Sequence, residues 1–200
     1  MKVVKNVLIF FIMAAVPLAS YGQLAVKTNL LYDATTTPNI GLEYALGKRS
    51  SVNLVYGINA WTFGSGEDEH KAQHWVLMPE YRWWPCTTFN GHFFGVHGMV
   101  GQFNAANAHL PIPGMFFSGD NLTKEVRDKR YEGTFAGIGV TYGYQWMLSR
   151  HWNLEAEIGV GYDHVWYDKY RCGTCGGKLS DGHSNYIGIT KIGLSFMYLF

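Results

Sequence analysis

Apolar and polar residues alternate with a period of two along most of the chain. Such alternation is typical of β-strands that have one apolar and one polar face. In residues 152–166, for example, Leu154 and Ile158 lie on one face. Glu155 and Glu157 lie on the other. Eight segments with this pattern are predicted to be strands: residues 23–33, 38–47, 51–63, 74–84, 92–103, 131–148, 152–166 and 186–200.

The polar face of these segments consists mostly of Gly, Asn and Ser and carries few charges. A soluble barrel would need many charged side chains on its outer face to stay dissolved. Small residues instead suit the crowded interior of an eight-stranded barrel, which is just wide enough for side chains to fill. The pattern therefore predicts an all-β fold, an eight-stranded antiparallel up-and-down transmembrane β-barrel with its apolar face towards lipid.

The few charged residues on the polar face have both signs: Lys27, Glu43, Glu80, Arg82, Glu155, Glu157 and Lys191. Charges inside a barrel must be paired, because an unpaired buried charge is costly. We therefore expect an interior ion-pair network. Aromatic residues near strand ends are expected in two interfacial girdles: Tyr32, Trp75, Trp83, Trp84, Trp146, Trp152, Trp166, Tyr186, Tyr198 and Phe200.

Connection lengths support this interpretation, because outer-membrane barrels have short periplasmic turns and long external loops. The predicted short turns are residues 47–50, 85–91 and 149–151, and the predicted long loops are residues 64–73, 104–130 and 167–185. The first hairpin, near residues 35–37, is short on the long-loop side. This arrangement predicts a Gram-negative outer membrane with both termini in the periplasm. The terminal Phe200 is similar to the signal read by the barrel assembly machinery.

The first segment has two lysines, an apolar run and small residues near its end: Lys2, Lys5, residues 7–16, Ser20 and Gly22. This pattern is typical of a secretory signal peptide, with cleavage predicted before Gln23. The apolar run is shorter than the ~20 residues that a membrane-spanning helix needs. We therefore predict a signal peptide over residues 1–22 and one barrel domain over residues 23–200.

Composition excludes several classes of protein. The chain has 200 residues, of which 24 are Gly, 16% are aromatic and 16% are charged. A disordered chain would have few aromatic residues, and a helical bundle would have little Gly. The formal net charge of +1 supplies no excess of cations to neutralise phosphates. No nucleic-acid partner is therefore predicted.

Cysteines are the first chemical candidates. Cys172 and Cys175 lie in the last predicted external loop, where an exported chain favours a local disulfide. A redox-active pair, or half of a zinc site with Asp181 and His183, is the alternative. Cys86 falls in a turn at the opposite end of the barrel and is expected to be a free thiol or an intermolecular partner. No metal site and no cofactor are predicted.

A barrel enzyme that transfers or removes lipid acyl chains would need a histidine beside an acid or a serine at the membrane rim. The candidates are Asp163 with His164, and His183 with Ser184. Neighbouring residues in a strand point to opposite faces, which disfavours the first pair. No His-Glu-x-x-His spacing occurs. We therefore predict no catalytic function, with a lipid-modifying enzyme and a narrow pore as alternatives.

Three segments resemble the DUF3575 family: VKTNLLYD at residues 26–33, GHFFGVH at 91–97 and NYIGITKIGL at 185–194. The resemblance covers nearly all of residues 23–200, although many members have a Pro where this chain has Ile189. It implies a small β-barrel of Bacteroidetes outer membranes, similar to the transmembrane barrel of OmpA, and supplies no catalytic residues. The loop with Cys172 and Cys175 also resembles a recurring Cys-pair loop of the family.

The predicted function is structural, or lies in external loops that present a surface to a partner protein. The loop over residues 104–130 combines an apolar patch with a charged one. Its candidate contact residues are Leu110, Phe116, Phe117, Lys124, Arg127 and Arg130. Outer-membrane lipid is the other expected partner.

Overall fold

The computed structural model describes residues 23–63, 70–106, 130–170 and 177–200. The described strands are β1 Leu24–Asn29, β2 Asn39–Gly47, β3 Ser50–Asn59, β4 Thr62–Phe63, β5 His70–Trp83, β6 Gly91–Ala106, β7 Arg130–Met147, β8 Trp152–Tyr170 and β9 Lys178–Leu199. One short helix, α1 Leu30–Ala34, follows β1. None of the helical structure in these ranges is long and apolar enough to cross a membrane.

Eight of the strands form a closed antiparallel ring. They follow one another in the order β1, β2, β3, β5, β6, β7, β8 and β9, and β9 pairs back with β1. The two-residue strand β4 pairs with β5 next to the end of β3. Because the ring is closed, each of its eight strands pairs with a neighbour on both sides and none forms a sheet edge. The predicted eight-stranded antiparallel up-and-down barrel is confirmed.

Apolar side chains on the outer wall line up across neighbouring strands. One row follows the pairing of Val52 with Tyr81, Val96, Val140 and Val160. These five residues are between 39% and 56% exposed. The residues next to them in each strand point inwards and are mostly polar or Gly. The barrel therefore carries its apolar face on the outside, as the alternation predicted.

The interior is more apolar than the sequence indicated. One apolar cluster lies near the ends joined by the long connections and is called the loop-side cluster: Tyr32, Val55, Val76, Met78, Met99, Phe103, Ala105, Tyr131, Phe135 and Val165. The other lies near the short turns and is called the turn-side cluster: Ala25, Trp84, Phe89, Phe93, Met197 and Leu199. Glycine makes room for these large side chains, since a Cβ atom on Gly143 would lie 2.3 Å from Phe93 Cζ.

Three aromatic residues expected in the girdles point into the barrel, so those predictions were wrong. Tyr186 is one of them, because it pairs with the inward-facing Asp163 of β8. β1 ends at Asn29, whose side chain accepts a hydrogen bond from the Leu31 N–H at 3.1 Å and caps α1. The helix turns Tyr32 inwards, where it is 1% exposed. Trp84 follows the end of β5 and is fully buried in the turn-side cluster, where its Nε1–H donates to Ser51 Oγ at 2.9 Å.

Several strands are longer than predicted. Residues 167–170 and 178–185, expected in a loop, continue β8 and β9 with Asp168 opposite Asp181. Arg130, also expected in a loop, starts β7 opposite Ala106. The outward residues at these strand ends are polar, so the apolar alternation that marks a strand disappears before the strand itself ends.

Gly139 in β7 tests how tightly the interior is packed. A Cβ atom there would lie 2.7 Å from the ring of His97 and 2.6 Å from Val160 O. We expect Gly139→Val to lower the free energy of unfolding by about 1–3 kcal/mol, measured by urea unfolding of the detergent-solubilised protein. The neighbouring Ile138 is 62% exposed, so Ile138→Val should change it by less than about 0.5 kcal/mol. Equal effects of the two substitutions would contradict this packing.

Candidate functional site

The polar middle of the barrel interior contains all seven charged residues named from the sequence. They come from five strands: Lys27 on β1, Glu43 on β2, Glu80 and Arg82 on β5, Glu155 and Glu157 on β8, and Lys191 on β9. The residues of each pair on β5 and β8 are two positions apart, so both side chains point inwards. None of the seven is more than 7% exposed.

Arg82 is the centre of this interior network. Its Nη1 lies 2.7 Å from Glu43 Oε2 and 2.7 Å from Glu155 Oε2. Its Nε lies 2.6 Å from Glu80 Oε2, and its Nη2 lies 2.7 Å from Glu157 Oε2. The guanidinium can hold four carboxylates at once because its N–H donors point outwards in one plane.

Two lysines complete the network from opposite sides. Lys27 Nζ lies 3.1 Å from Glu43 Oε2 and 2.8 Å from Glu155 Oε1. Lys191 Nζ lies 2.8 Å from Glu80 Oε2 and 3.0 Å from Glu157 Oε2. Every one of the four carboxylates therefore contacts Arg82 and one lysine.

Uncharged groups complete the hydrogen bonding of the carboxylates. Ser51 Oγ donates to Glu43 Oε1 at 2.6 Å, and Asn53 Nδ2 donates to Glu80 Oε2 at 3.1 Å. A buried ion pair repays its desolvation only with close geometry and such additional hydrogen bonds. Most of the carboxylate oxygens in the network have a close ion pair or a hydrogen bond of this kind.

Apolar layers close the network off at both ends. The Arg82 guanidinium carbon lies 4.3 Å from the centre of the Phe93 ring, which belongs to the turn-side cluster. Met78, of the loop-side cluster, precedes Glu80 on the same inner face of β5. The charged groups are thus shielded from water, and a substrate could reach them only if the barrel opened.

A second polar contact lies beside the network. His97 Nδ1 is 2.8 Å from Thr141 Oγ1, and His97 Nε2 is 2.9 Å from Thr190 Oγ1. Thr190 is the extra residue of a β-bulge, because Gly159 pairs with Lys191 while Val160 pairs with Ile189. The bulge lets two successive residues of β9, Thr190 and Lys191, both point inwards.

Asp163 and His164, one candidate pair for a lipid-modifying enzyme, lie on opposite faces of β8. Asp163 points into the barrel and is 1% exposed, whereas His164 lies on the outer face. Neither carboxylate oxygen of Asp163 has a hydrogen-bond partner among the described residues. His164 Nδ1 instead lies 2.5 Å from Asn185 Oδ1 on the neighbouring strand.

Most of the predicted binding surface lies outside the described residues. Leu110, Phe116, Phe117, Lys124 and Arg127 fall outside the described residues, as do Cys172 and Cys175. Arg130, predicted to lie in the loop, is the first residue of β7, and its Nη2 lies 3.1 Å from Glu132 Oε1. Cys86 is an exposed free thiol, and within the described ranges no group of three or more His, Cys, Asp or Glu residues could hold a metal ion.

The comparison with protein families confirms the family that three segments of the sequence resemble. The model of a family described as "Protein of unknown function (DUF3575)" matches residues 7–200. The chain belongs to the DUF3575 family. No curated protein and no solved structure matches it. The description of the DUF3575 family assigns no activity, so any function has to be argued from the barrel itself.

Removal of the central cation tests the network. We expect Arg82→Met to lower the free energy of unfolding by about 3–5 kcal/mol, because four buried carboxylates lose their shared partner. Lys178, which pairs with Asp168 at 2.8 Å on the exposed rim, provides the control. Lys178→Met should leave the urea midpoint unchanged. A small effect of both Arg82→Met and Lys27→Met would show that the network does not stabilise the barrel.

Proposed function

We propose that the chain is an integral outer-membrane β-barrel without catalytic function, which acts as a structural element or presents its external loops to a partner protein. The observation that carries this proposal is the reversed polarity of the barrel. The charges in the middle of the barrel lie inside and are paired with one another, while the outer wall around them is apolar. In water this arrangement would expose a large apolar surface, which soluble monomers avoid. In lipid it is the favourable one.

The height of the apolar wall fits a bilayer. On β8 the outward residues from Leu154 to Tyr162 are all apolar or aromatic. Nine residues of a strand tilted by about 40° cover about 20 Å along the barrel axis, and a membrane barrel needs an apolar band of about 25 Å. Within this band, none of the outward residues in the described strands is Asp, Glu, Lys or Arg.

Aromatic residues flank the band at both ends, where a bilayer has its interfaces. Trp152 and Trp166 lie on β8 on either side of the apolar residues and are 42% and 49% exposed. Trp152 packs beside Phe196, with ring centres 4.8 Å apart. Aromatic girdles of this kind anchor membrane barrels at the headgroup level. They support the proposed location, together with the signal peptide predicted over residues 1–22.

The filled interior favours a structural role over conduction. Arg82 and its partners cross the middle of the barrel, and Phe93 and Phe135 belong to the apolar layers on either side. An eight-stranded barrel is just wide enough for its side chains, so such filling leaves no aqueous path. The strands also hold the ends of each long connection close together, which suits a scaffold that presents loops.

A charge on the outer wall tests the membrane location. Val160 lies in the middle row of the apolar band and is 50% exposed. We expect Val160→Arg to weaken folding into lipid vesicles by about 2–4 kcal/mol, measured by heat-modifiable migration in detergent gels. His183, which is outward but beyond the band, is the control, and His183→Arg should cost less than about 1 kcal/mol. Extraction of the unaltered chain into buffer without detergent would refute the proposal.

The longest connection tests the proposed loop function. β6 and β7 are still paired at Ala106 and Arg130, so residues 107–129 close a hairpin whose ends are already adjacent. We expect that replacing residues 107–129 with a short Gly-Ser turn leaves heat-modifiable folding intact. The same replacement should abolish the chemical crosslinks that the unaltered protein forms to a partner on intact cells. Unchanged crosslinks would place the partner surface elsewhere.

A further inference from the structure

A groove lined by both polar and apolar groups crosses the outer wall of the barrel next to the apolar band. It has a volume of about 580 Å³, and nine of its lining residues are outward-facing: Ile58, Ala60, Gln73, Trp75, Gln102, Asn104, Glu132, Thr134 and Asp168. Six of these nine carry amide, hydroxyl or carboxylate groups. The volume falls within the ~300–1,000 Å³ typical of small-ligand sites.

The strand register builds the groove from two polar rows. In the lower row Trp75 pairs with Gln102, and Gln102 pairs with Thr134. In the upper row four residues are paired in turn across four strands: Gln73, Asn104, Glu132 and Asp168. The row beneath both contains Leu77 and Val100 and belongs to the apolar band. The groove therefore lies directly beyond the edge of that band.

The groups in the groove suit a ligand with many hydroxyls. Trp75 Nε1 donates to Gln102 Oε1 at 3.0 Å, which orients the amide of Gln102 and leaves its Nε2 hydrogens for a ligand. Thr134 is exposed and its hydroxyl can both donate and accept. A sugar hydroxyl has the same dual capacity, so amides, hydroxyls and carboxylates can all pair with it.

The charges of the groove disfavour an ionic ligand. Glu132 and Asp168 are the charged lining residues, and no Lys or Arg lines it. Each carboxylate is already paired at the rim, Glu132 with Arg130 at 3.1 Å and Asp168 with Lys178 at 2.8 Å. A phosphate would meet two carboxylates, and a metal cation would have to displace two existing partners. A neutral ligand avoids both costs.

From this geometry we infer that the groove binds the neutral saccharide headgroup of a membrane glycolipid. The inference rests on the proposed membrane location, because the groove then opens at the headgroup level with Trp75 at the interface. The acyl chains of the same lipid would lie along the apolar rows below, next to Leu77 and Val100. The barrel would thereby select its neighbouring lipids by their headgroups.

Lipid retention in nanodiscs tests the inference. The protein is inserted into phosphatidylcholine discs that contain equal minor amounts of digalactosyldiacylglycerol and phosphatidylglycerol, and retained lipid is identified by native mass spectrometry. We expect the galactolipid to be retained about tenfold over either phospholipid, the effect of two net hydrogen bonds. The double substitution Gln102→Ala and Thr134→Ala should remove this preference. His183→Ala, in the same row as Thr134 but outside the groove, should keep it.

Each other outcome has a separate meaning. Failure of the unaltered protein to enter the discs would refute the membrane location itself. Insertion with equal retention of all three lipids, or a preference for phosphatidylglycerol, would refute the saccharide site alone. An unchanged preference in the double variant would also refute the groove as that site. Calorimetry in detergent would show whether free lactose binds as tightly as the galactolipid. If it does, the groove is a site for soluble saccharides, and the lipid assignment is overturned.

Discussion

The contact on which the rest of the barrel depends is that of one guanidinium with four carboxylates. Arg82 is fully buried, and so are the glutamates around it. Charges removed from water are tolerated only when partners surround them closely. The strands must therefore keep the register that brings Glu43, Glu80, Glu155 and Glu157 to one level, since a slip of one residue would turn a whole strand inside out.

This constraint ties distant parts of the chain together. Lys27 lies near the start of β1 and Glu155 is in β8, yet the two are 2.8 Å apart. Lys191 on β9 makes the corresponding bridge to Glu80 on β5. Five of the eight ring strands thus meet in one cluster, and the apolar layers above and below keep water from competing for its charges. Because the seven charged residues at this level all point inwards and pair with one another, the outer wall around them can be apolar.

Much of the site could be inferred from alternation and charge together. A small-residue face with few charges of both signs implies an interior network, and the residues it contains follow from their parity in each strand. The surroundings could not be inferred in the same way. Trp84 and Tyr32 carry the apolar character of a lipid-facing residue, and only the turn after β5 and the helix after β1 direct them inwards. The bulge at Thr190 shifts the outward apolar positions from odd (Ile187) to even (Ile192), a change of phase that the prediction of one continuous strand overlooks.

The sequence by itself determined that the chain is a β-barrel, which residues of most strands share a face, and that its interior charges belong together. Those properties depend on a period of two, which is local and visible in the order of residues. Only the tertiary structure decided how far β8 and β9 extend, that His97 meets Thr190, and that Gln102 and Thr134 form the floor of a groove. These depend on the register between paired strands, which is set by packing across the whole ring.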